Sequence, residues 1–544
     1  MNDRGEDMKK LFIGFLVLIG AFTLSGCTEK EIECLDTEEL IEGVCVEKEP
    51  EIEFIDFDEM YPEMGAYYQI FVRSYADSDG DGIGDFNGLT AKLDYMEDLG
   101  IEGIWLMPIH PSPTYHGYDV LDYYDINPDY GTLEDFENFL VEAEARGIKV
   151  IIDLLVNHTS NQHPWFEAWR NDDPDYQGYY RKITSNDDRY TMNRSLWHTL
   201  GGGYYYAGAF GGGMPDLNWS NPAVQQEMLD IALFWMDKGV DGFRLDAAIH
   251  LEDYGEVSPP TIPIESSINK LAFFEFNIEL EYPDVYIVGE IWDSFNVFSK
   301  FVASMDSAMN FETSQEISYS INRGSNGDYV EDMLSMLETL ESIDSEAIDA
   351  PFLYNHDQDR IASIYGGDVD DLKLAAEMLL TRQGNPFVYY GEELGMFGIK
   401  STGPTIWDET RRQPYLFDDM YKTSWMVDEF NTETDTVDEQ LADPNSILNT
   451  YMEILNVRKD NLALKFGDTE AWEISSNVLV GYYRTFFYDE DHNQKVLVLH
   501  NIGDTGFTYG DIEGEILYYS DGIDLYNGII DGQSTLIIEV PYEE

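Results

Sequence analysis

Eight short apolar runs, alternating with stretches of helical periodicity, constrain this chain more than any other feature. The runs are Ala66–Val72, Gly103–Met107, Lys149–Leu155, Gly242–Leu245, Val285–Gly289, Ala308–Phe311, Ala350–Tyr354 and Pro386–Tyr390. Between them lie Leu89–Leu99, Leu133–Arg146, Pro222–Lys238, Ile268–Tyr282 and Asp370–Leu380, which carry amphipathic spacing. Strand and helix in alternation is the signature of βα units. Eight such units predict a (β/α)8 barrel, with its functional residues at the C-terminal ends of the strands.

Two segments fall outside that repeat. Residues 157–218, between the third and fourth strands, are too many for a plain connection and are rich in Gly, Tyr and Trp, which predicts an inserted loop domain. Beyond Gly467 the pattern changes to short alternating strands such as Val478–Tyr483 and Lys495–His500, which predicts an all-β sandwich domain over 467–544. The barrel itself is expected over 61–156 and 219–466.

The N-terminus reads as an export signal over residues 1–26. Met8-Lys9-Lys10 supplies a basic start, and Leu11–Leu24 is an apolar run too short to span a membrane. Leu24-Ser25-Gly26-Cys27 resembles a bacterial lipobox, so a lipid anchor at Cys27 and an extracellular location are expected. Residues 27–60 are acidic and read as a tether. Cys34 and Cys45 remain as an even pair that either forms a small disulfide or stays free. No Cys lies beyond residue 45, which excludes thiol catalysis in the body of the protein.

Composition excludes one class of partner. With 106 acidic against 31 basic residues the formal charge is −75, and such a field repels phosphate backbones, arguing against nucleic acid. A solvated acidic surface also suits saline surroundings and bound cations.

Three acids stand at the ends of predicted strands: Asp246 after Gly242-Phe243-Arg244-Leu245, Glu290 after Val288-Gly289, and Asp357 after Asn355-His356. A parallel barrel brings all three into one pocket. Two carboxyl groups about 5–5.5 Å apart on either side of one bond are the requirement of retaining glycoside hydrolysis. Arg244, two residues before Asp246, points to the same side of its strand. Its charge is expected to hold Asp246 ionised and lower its pKa, whereas the neighbouring negative charges are expected to raise Glu290.

The chain from about Gly65 to its end resembles the α-amylase family of glycoside hydrolases. Asp153-Leu154-Leu155-Val156-Asn157-His158 is similar to the first signature of that family, Gly242–His250 to the second, Gly289-Glu290 to the third and Asn355-His356-Asp357 to the fourth. Met214-Pro215-Asp216-Leu217-Asn218 resembles the motif that closes its inserted domain. The resemblance implies Asp246 as nucleophile, Glu290 as general acid/base and Asp357 as transition-state stabiliser. It also implies sugar contacts from Tyr118, His158, Arg244, His356 and Arg412, with an α-glucan as substrate. The protein is expected to act as a monomer.

Calcium is the expected cofactor. In Asp77-Ser78-Asp79-Gly80-Asp81-Gly82-Ile83-Gly84-Asp85, acids at alternate positions with glycines between them suit a hard cation, with Asp77, Asp79, Asp81, the Ile83 carbonyl and Asp85 as ligands. Leu89 stands where an EF-hand has its closing Glu. A second calcium, implied by the resemblance alone, would use Asn157, Asp216 and the carbonyl of His250.

Specificity is read from departures within the family. Tyr115 stands just before His116-Gly117-Tyr118, where exo-acting α-glucosidases usually carry an acid, and this favours internal attack on α-1,4-glucans. Ile249 stands where amylases usually have Lys, and Arg412-Gln413-Pro414 echoes the exo-acting branch. An α-glucosidase, a 4-α-glucanotransferase and a non-catalytic maltodextrin-binding lipoprotein are the alternatives to an endo-acting hydrolase.

Overall fold

A computed structural model describes residues 38–41, 44–47, 55–184, 190–191, 194–251, 264–403, 407–474, 476–510, 512–520 and 527–542. The chain forms two compact units, residues 1–60 and 61–544. In the first, Glu38–Ile41 pairs antiparallel with Val44–Glu47, Leu40 opposite Cys45. The export signal, Cys27 and Cys34 lie outside the described residues, and so does the pairing of Cys34 with Cys45.

The second unit is built on the eight predicted strands: β1 (Tyr67–Ile70), β2 (Gly103–Leu106), β3 (Lys149–Leu154), β4 (Gly242–Leu245), β5 (Tyr286–Gly289), β6 (Ser307–Asn310), β7 (Ala350–Pro351) and β8 (Phe387–Tyr389). They hydrogen-bond in parallel in the order β7-β6-β5-β4-β3-β2-β1-β8. A parallel bridge from Phe352 to Phe387 brings β7 to β8 and closes the ring. β7 is the shortest of these strands because Pro351 has no N–H to give the ladder.

Inward-facing side chains fill the barrel. Tyr67, Trp105, Ile151, Tyr286, Val288, Met309, Phe311, Ala350, Phe352 and Phe387 form one buried cluster, in which Tyr67 stacks on both Tyr286 and Phe387 at 5.1 Å. The barrel is therefore a packed core, and open space is left to the strand ends. The helices follow the predicted spacing. Leu133–Glu144 starts in a Thr132/Asp135 capping box, and Pro222–Met236 starts with Pro after the Asn221 cap. The predicted Leu89–Leu99 helix is instead two, Phe86–Ala91 and Leu93–Leu99. Lys92 leaves helical angles between them, its ammonium drawn over the Phe417 ring and paired with Asp419.

After β3 the chain makes the inserted domain, a three-stranded antiparallel sheet in the order 182–183, 204–207, 197–201 around Leu196, Trp197, Ala207 and Ala209. Bridges from His158 to Asp216 and from Tyr180 to Leu217 tie its two ends together beside the barrel.

The C-terminal domain contains β9 (Asp468–Ala471), β10 (Leu479–Phe487), β11 (Asn493–Asn501), β12 (Glu515–Tyr519) and β13 (Ser534–Val540), antiparallel in the order β9-β10-β11-β13-β12. A short pair, 507–508 with 529–530, packs Ile530 into its core. A buried arginine on β10 fastens this domain, Arg484 donating to the carbonyls of Thr381 and Gly467, and beside it Arg458, on the helix Ile447–Asp460, donates to those of Leu380, Arg382 and Gly384. The carbonyls of Leu380, Thr381, Arg382 and Gly384 lie at and just beyond the end of the helix Val369–Leu380, where the last carbonyls lack intrahelical partners and take guanidinium N–H groups instead.

Candidate active site

The strand ends place the acids. The amide of Asp246 donates to Leu154 O on β3, and that of Glu290 to Leu245 O on β4, both at 3.0 Å, so each acid continues its strand by one residue. Gly289 leaves room before Glu290, since a Cβ there would meet Met305 Sδ at 2.3 Å. Ala247, just after Asp246, has φ of 49°, a left-handed conformation that costs a non-glycine residue energy. That turn aims its N–H at Glu290 Oε2, 3.0 Å away.

One guanidinium joins the site. Arg244 is fully buried; its Nη1 lies 2.7 Å from Asp153 Oδ1 and 2.7 Å from Asp246 Oδ1, and its Nη2 lies 3.1 Å from Glu290 Oε2. The planar fork of Arg suits several carboxylates at once, and the ring of Trp105, 5.1 Å away, packs against it. Arg244 and Asp246 face the same side of β4, as their spacing predicts.

A second arm starts from β1. Gln69 Nε2 lies 2.6 Å from His356 Nδ1, His356 Nε2 lies 2.7 Å from Tyr118 Oη, and the Tyr118 hydroxyl donates to Asp153 Oδ2 at 2.9 Å. The Tyr118 and His356 rings stack with an interplanar angle of 7°. Asp357 adjoins this arm. Arg412 Nη2 donates to its Oδ1 at 2.9 Å, Arg411 donates to its carbonyl, and its own amide donates to Asn355 Oδ1 at 2.9 Å.

Burial sets the protonation states. It pushes Asp246 up to about 7 against the pull of Arg244, and Glu290 up to about 7 with help from Asp246 and Asp357. Glu290 behaves as expected. Asp246 does not, because removing a carboxylate from water outweighs one arginine that is shared among three acids. Both carboxyls are thus raised toward neutrality around the one guanidinium they share.

Asp357 takes the opposite direction. Burial opposes its ionisation, but His356, Arg412, Arg244 and Arg411 outweigh it and hold its carboxyl well below the ordinary value. His356 is itself kept neutral by burial, so the arginines carry that effect. The Asp357 side chain is also the most open of the three acids, 36% exposed against 9% for Asp246 and 11% for Glu290.

His158 Nε2 donates to the Tyr118 carbonyl at 2.9 Å, and burial keeps the ring neutral. Beside it Asn157 Nδ2 donates to Asp216 Oδ1 at 3.3 Å, while Asn157 Oδ1 is buried with no hydrogen-bond partner. The Phe210 ring contacts both His158 and His250. Asn157 and Asp216 therefore meet, with an unused oxygen beside a carboxylate, a donor set that suits a hard cation.

In the loop after β1, Asp77, Asp79 and Asp85 bring one carboxylate oxygen each within 4.8 Å of one another. Asp77 accepts from the amides of Asp79, Gly80 and Gly82, and Asp85 from Ser78 and Gly88. Asp81 is not among the converging three; its Oδ1 accepts from the Ile83 amide.

The family profile described as "Alpha amylase, catalytic domain" matches residues 69–467, the span that carries every acid and arginine of the site. The chain belongs to the α-amylase family. It is 40% identical to "Alpha-amylase 3" of Dictyoglomus thermophilum over 89% of this chain and 95% of that one. It is 33% identical to the "4-alpha-glucanotransferase" of Thermotoga maritima over 80% and 95%. Among solved structures, the α-amylase from H. orenii is similar at a TM-score of 0.78 and 36% identity, covering 88% of this chain and 100% of that one.

Within this α-amylase family site, sequence reasoning missed three participants. Asp153 holds Arg244 and Tyr118, and its signal was an ionisable residue inside the otherwise apolar run Lys149–Leu155. Gln69 and Arg411 act through contacts 287 and 54 residues away in sequence, and no local spacing announces those.

Proposed function

We propose that the protein is an endo-acting α-amylase that cleaves internal α-1,4 bonds of starch, glycogen or maltodextrins with retention. The observation that carries this reading is the bridging of Asp246 and Glu290 by adjacent nitrogens of Arg244, next to an Asp357 kept ionised by Arg412. Asp246 attacks the anomeric carbon while Glu290 gives its proton to the departing glycosidic oxygen, leaving a glucosyl ester on Asp246. Glu290, now a carboxylate, takes a proton from water, whose oxygen attacks the same carbon and releases Asp246. Asp357 and the ionised form of Asp246 face the positive charge that develops on the ring.

Tyr115 supports internal cleavage. Its ring stacks on Trp425 at 5.6 Å and lies 5.9 Å from the Arg412 guanidinium, so a neutral aromatic pair stands where exo-acting relatives carry an acid. A 4-α-glucanotransferase is the second reading. Trp292, two residues beyond Glu290, is 53% exposed and backed by Phe311 at 4.7 Å, which offers an acceptor sugar a stacking face.

Calcium fits the residues present: Asp77, Asp79 and Asp85 would hold one ion in the loop after β1, and Asn157 with Asp216 a second. When bound, such ions supply positive charge that offsets carboxylate repulsion and stiffens the two loops. The lipobox-like Leu24–Cys27 supports export and tethering at the outer face of the membrane. Radiolabelled palmitate incorporation that disappears in Cys27→Ser tests it.

Maltoheptaose digestion tests the activity. An early mixture of shorter oligosaccharides, with starch viscosity falling before glucose accumulates, fits internal hydrolysis. Glucose as sole first product would favour the exo-acting alternative, and chains longer than seven units would favour transfer.

A further inference from the structure

Tyr118, His356 and Gln69 form a chain whose hydrogen-bond direction is fixed by chemistry. The Tyr118 hydroxyl has one proton, and it goes to Asp153 Oδ2, 2.9 Å away, on a carboxyl whose other oxygen pairs with Arg244. Tyr118 Oη must then accept from its other close neighbour, His356 Nε2 at 2.7 Å. That places the imidazole proton on Nε2 and leaves Nδ1 as a bare lone pair. Gln69 meets this lone pair with its amide nitrogen at 2.6 Å, and both side chains are buried, Gln69 to 1% exposure and His356 to 0%.

We propose that Gln69 is a positioning residue that locks His356 as the neutral Nε2–H tautomer, so that the ring keeps its one donor on Tyr118 Oη and holds that side chain in place at the sugar-binding pocket. His356 faces charged and titratable groups from several elements. Asp357 follows it in the chain, with Oδ2 at 3.5 Å; Tyr118 comes from the loop after β2; Arg244 comes from β4; Arg411 and Arg412 come from the loop after β8. The cationic majority disfavours an imidazolium, and only Gln69 contacts the Nδ1 edge among the described residues. A donor there selects the tautomer, whereas an acceptor would select the opposite one or a second proton. The inference rests on sugar chemistry occurring at this site, and not on where along a glucan the bond is cut.

Two substitutions separate tautomer control from packing. Gln69→Leu removes the donor without adding charge and is expected to lose about tenfold in kcat at little-changed KM on a chromogenic maltooligosaccharide, with the wild-type pH profile. In Gln69→Glu the carboxylate draws a proton onto Nδ1, so the Nε2–H survives only while the ring is doubly protonated. Its activity is expected to persist at acid pH and to fall on an alkaline limb about one pH unit or more below that of the wild type. Ring 15N resonances of His356 in the wild-type protein, which need no turnover, are expected to show Nδ1 bare and Nε2 protonated. A protonated Nδ1 in the wild type, kcat within twofold for Gln69→Leu, or wild-type-shaped profiles for both variants would each overturn the assignment. Failure of the wild type to hydrolyse any glucan, with the expected resonances, would count against the proposed function and leave the tautomer assignment standing.

Discussion

Arg244 and Asp246, two residues apart on β4, meet at 2.7 Å, and the same guanidinium reaches Asp153 and Glu290. One buried cation therefore serves three carboxylates. Arg244→Lys supplies a point charge without the planar fork and cannot satisfy three partners. kcat/KM is expected to drop on the order of 10²–10³-fold, as for loss of one preorganised charge contact. Steady-state kinetics with circular dichroism as a folding control checks this.

Arg412 has a separable role. Its Nη2 lies 2.9 Å from Asp357, the acid held below its ordinary pKa. Arg412→Ala removes one of the charges that hold it there, so Asp357 rises and protonates at higher pH. The acid limb of kcat/KM is expected to move upward, with activity falling about 10–100-fold near neutrality. A pH–rate profile of the variant reads both effects.

Buried acids also set how stability depends on pH. Burial raises Asp246 and Glu290 to about 7, Asp306 to about 7 and Glu392 to about 8. Their unfolded values lie at about 4. Between those limits the native state binds more protons than the unfolded one, so stability is full below about pH 4 for these groups and is lost as pH rises toward 8. Asp357 has the opposite sign and loses its contribution only at strongly acid pH. The melting temperature is expected to be lower at pH 8.5 than at pH 5.5. Self-repulsion at a formal charge of −75 acts in the same direction. Thermal unfolding across that range tests the sign.

Much of the frame was legible because a closed parallel barrel leaves a plain trace: short apolar runs, several of them followed by a polar residue where the strand meets the pocket. All eight strands lie where those runs are. Asp246, Glu290 and Asp357 follow from the same logic. What stayed hidden depends on contacts between distant segments. Trp425 folds back to donate to Ser74 Oγ at 2.8 Å, and Arg411 reaches the Asp357 carbonyl; neither sits in a recognisable pattern. The pKa of Asp246 was misjudged because sequence shows the arginine beside it, not the two acids that share that arginine or the water that burial removes.

The loop after β1 gives a further expectation. Asp77, Asp79 and Asp85 converge within 4.8 Å, and three carboxylates so close repel one another without a counter-charge. Calcium at about a hundred times its Kd is expected to stabilise the fold by about 2.7 kcal/mol, and a chelator to remove that gain. Asp79→Asn should blunt the response while leaving the barrel folded. Differential scanning calorimetry with and without calcium, on both proteins, decides it.

Trapping the covalent intermediate tests the central claim most directly. Incubation with a 5-fluoro-α-glucosyl fluoride, followed by proteolysis and mass spectrometry, should find one glucosyl ester, on the peptide carrying Asp246, accumulating further in Glu290→Gln. Label on another acid, or turnover to the inverted anomer with no adduct, would contradict the arrangement of nucleophile and acid described above.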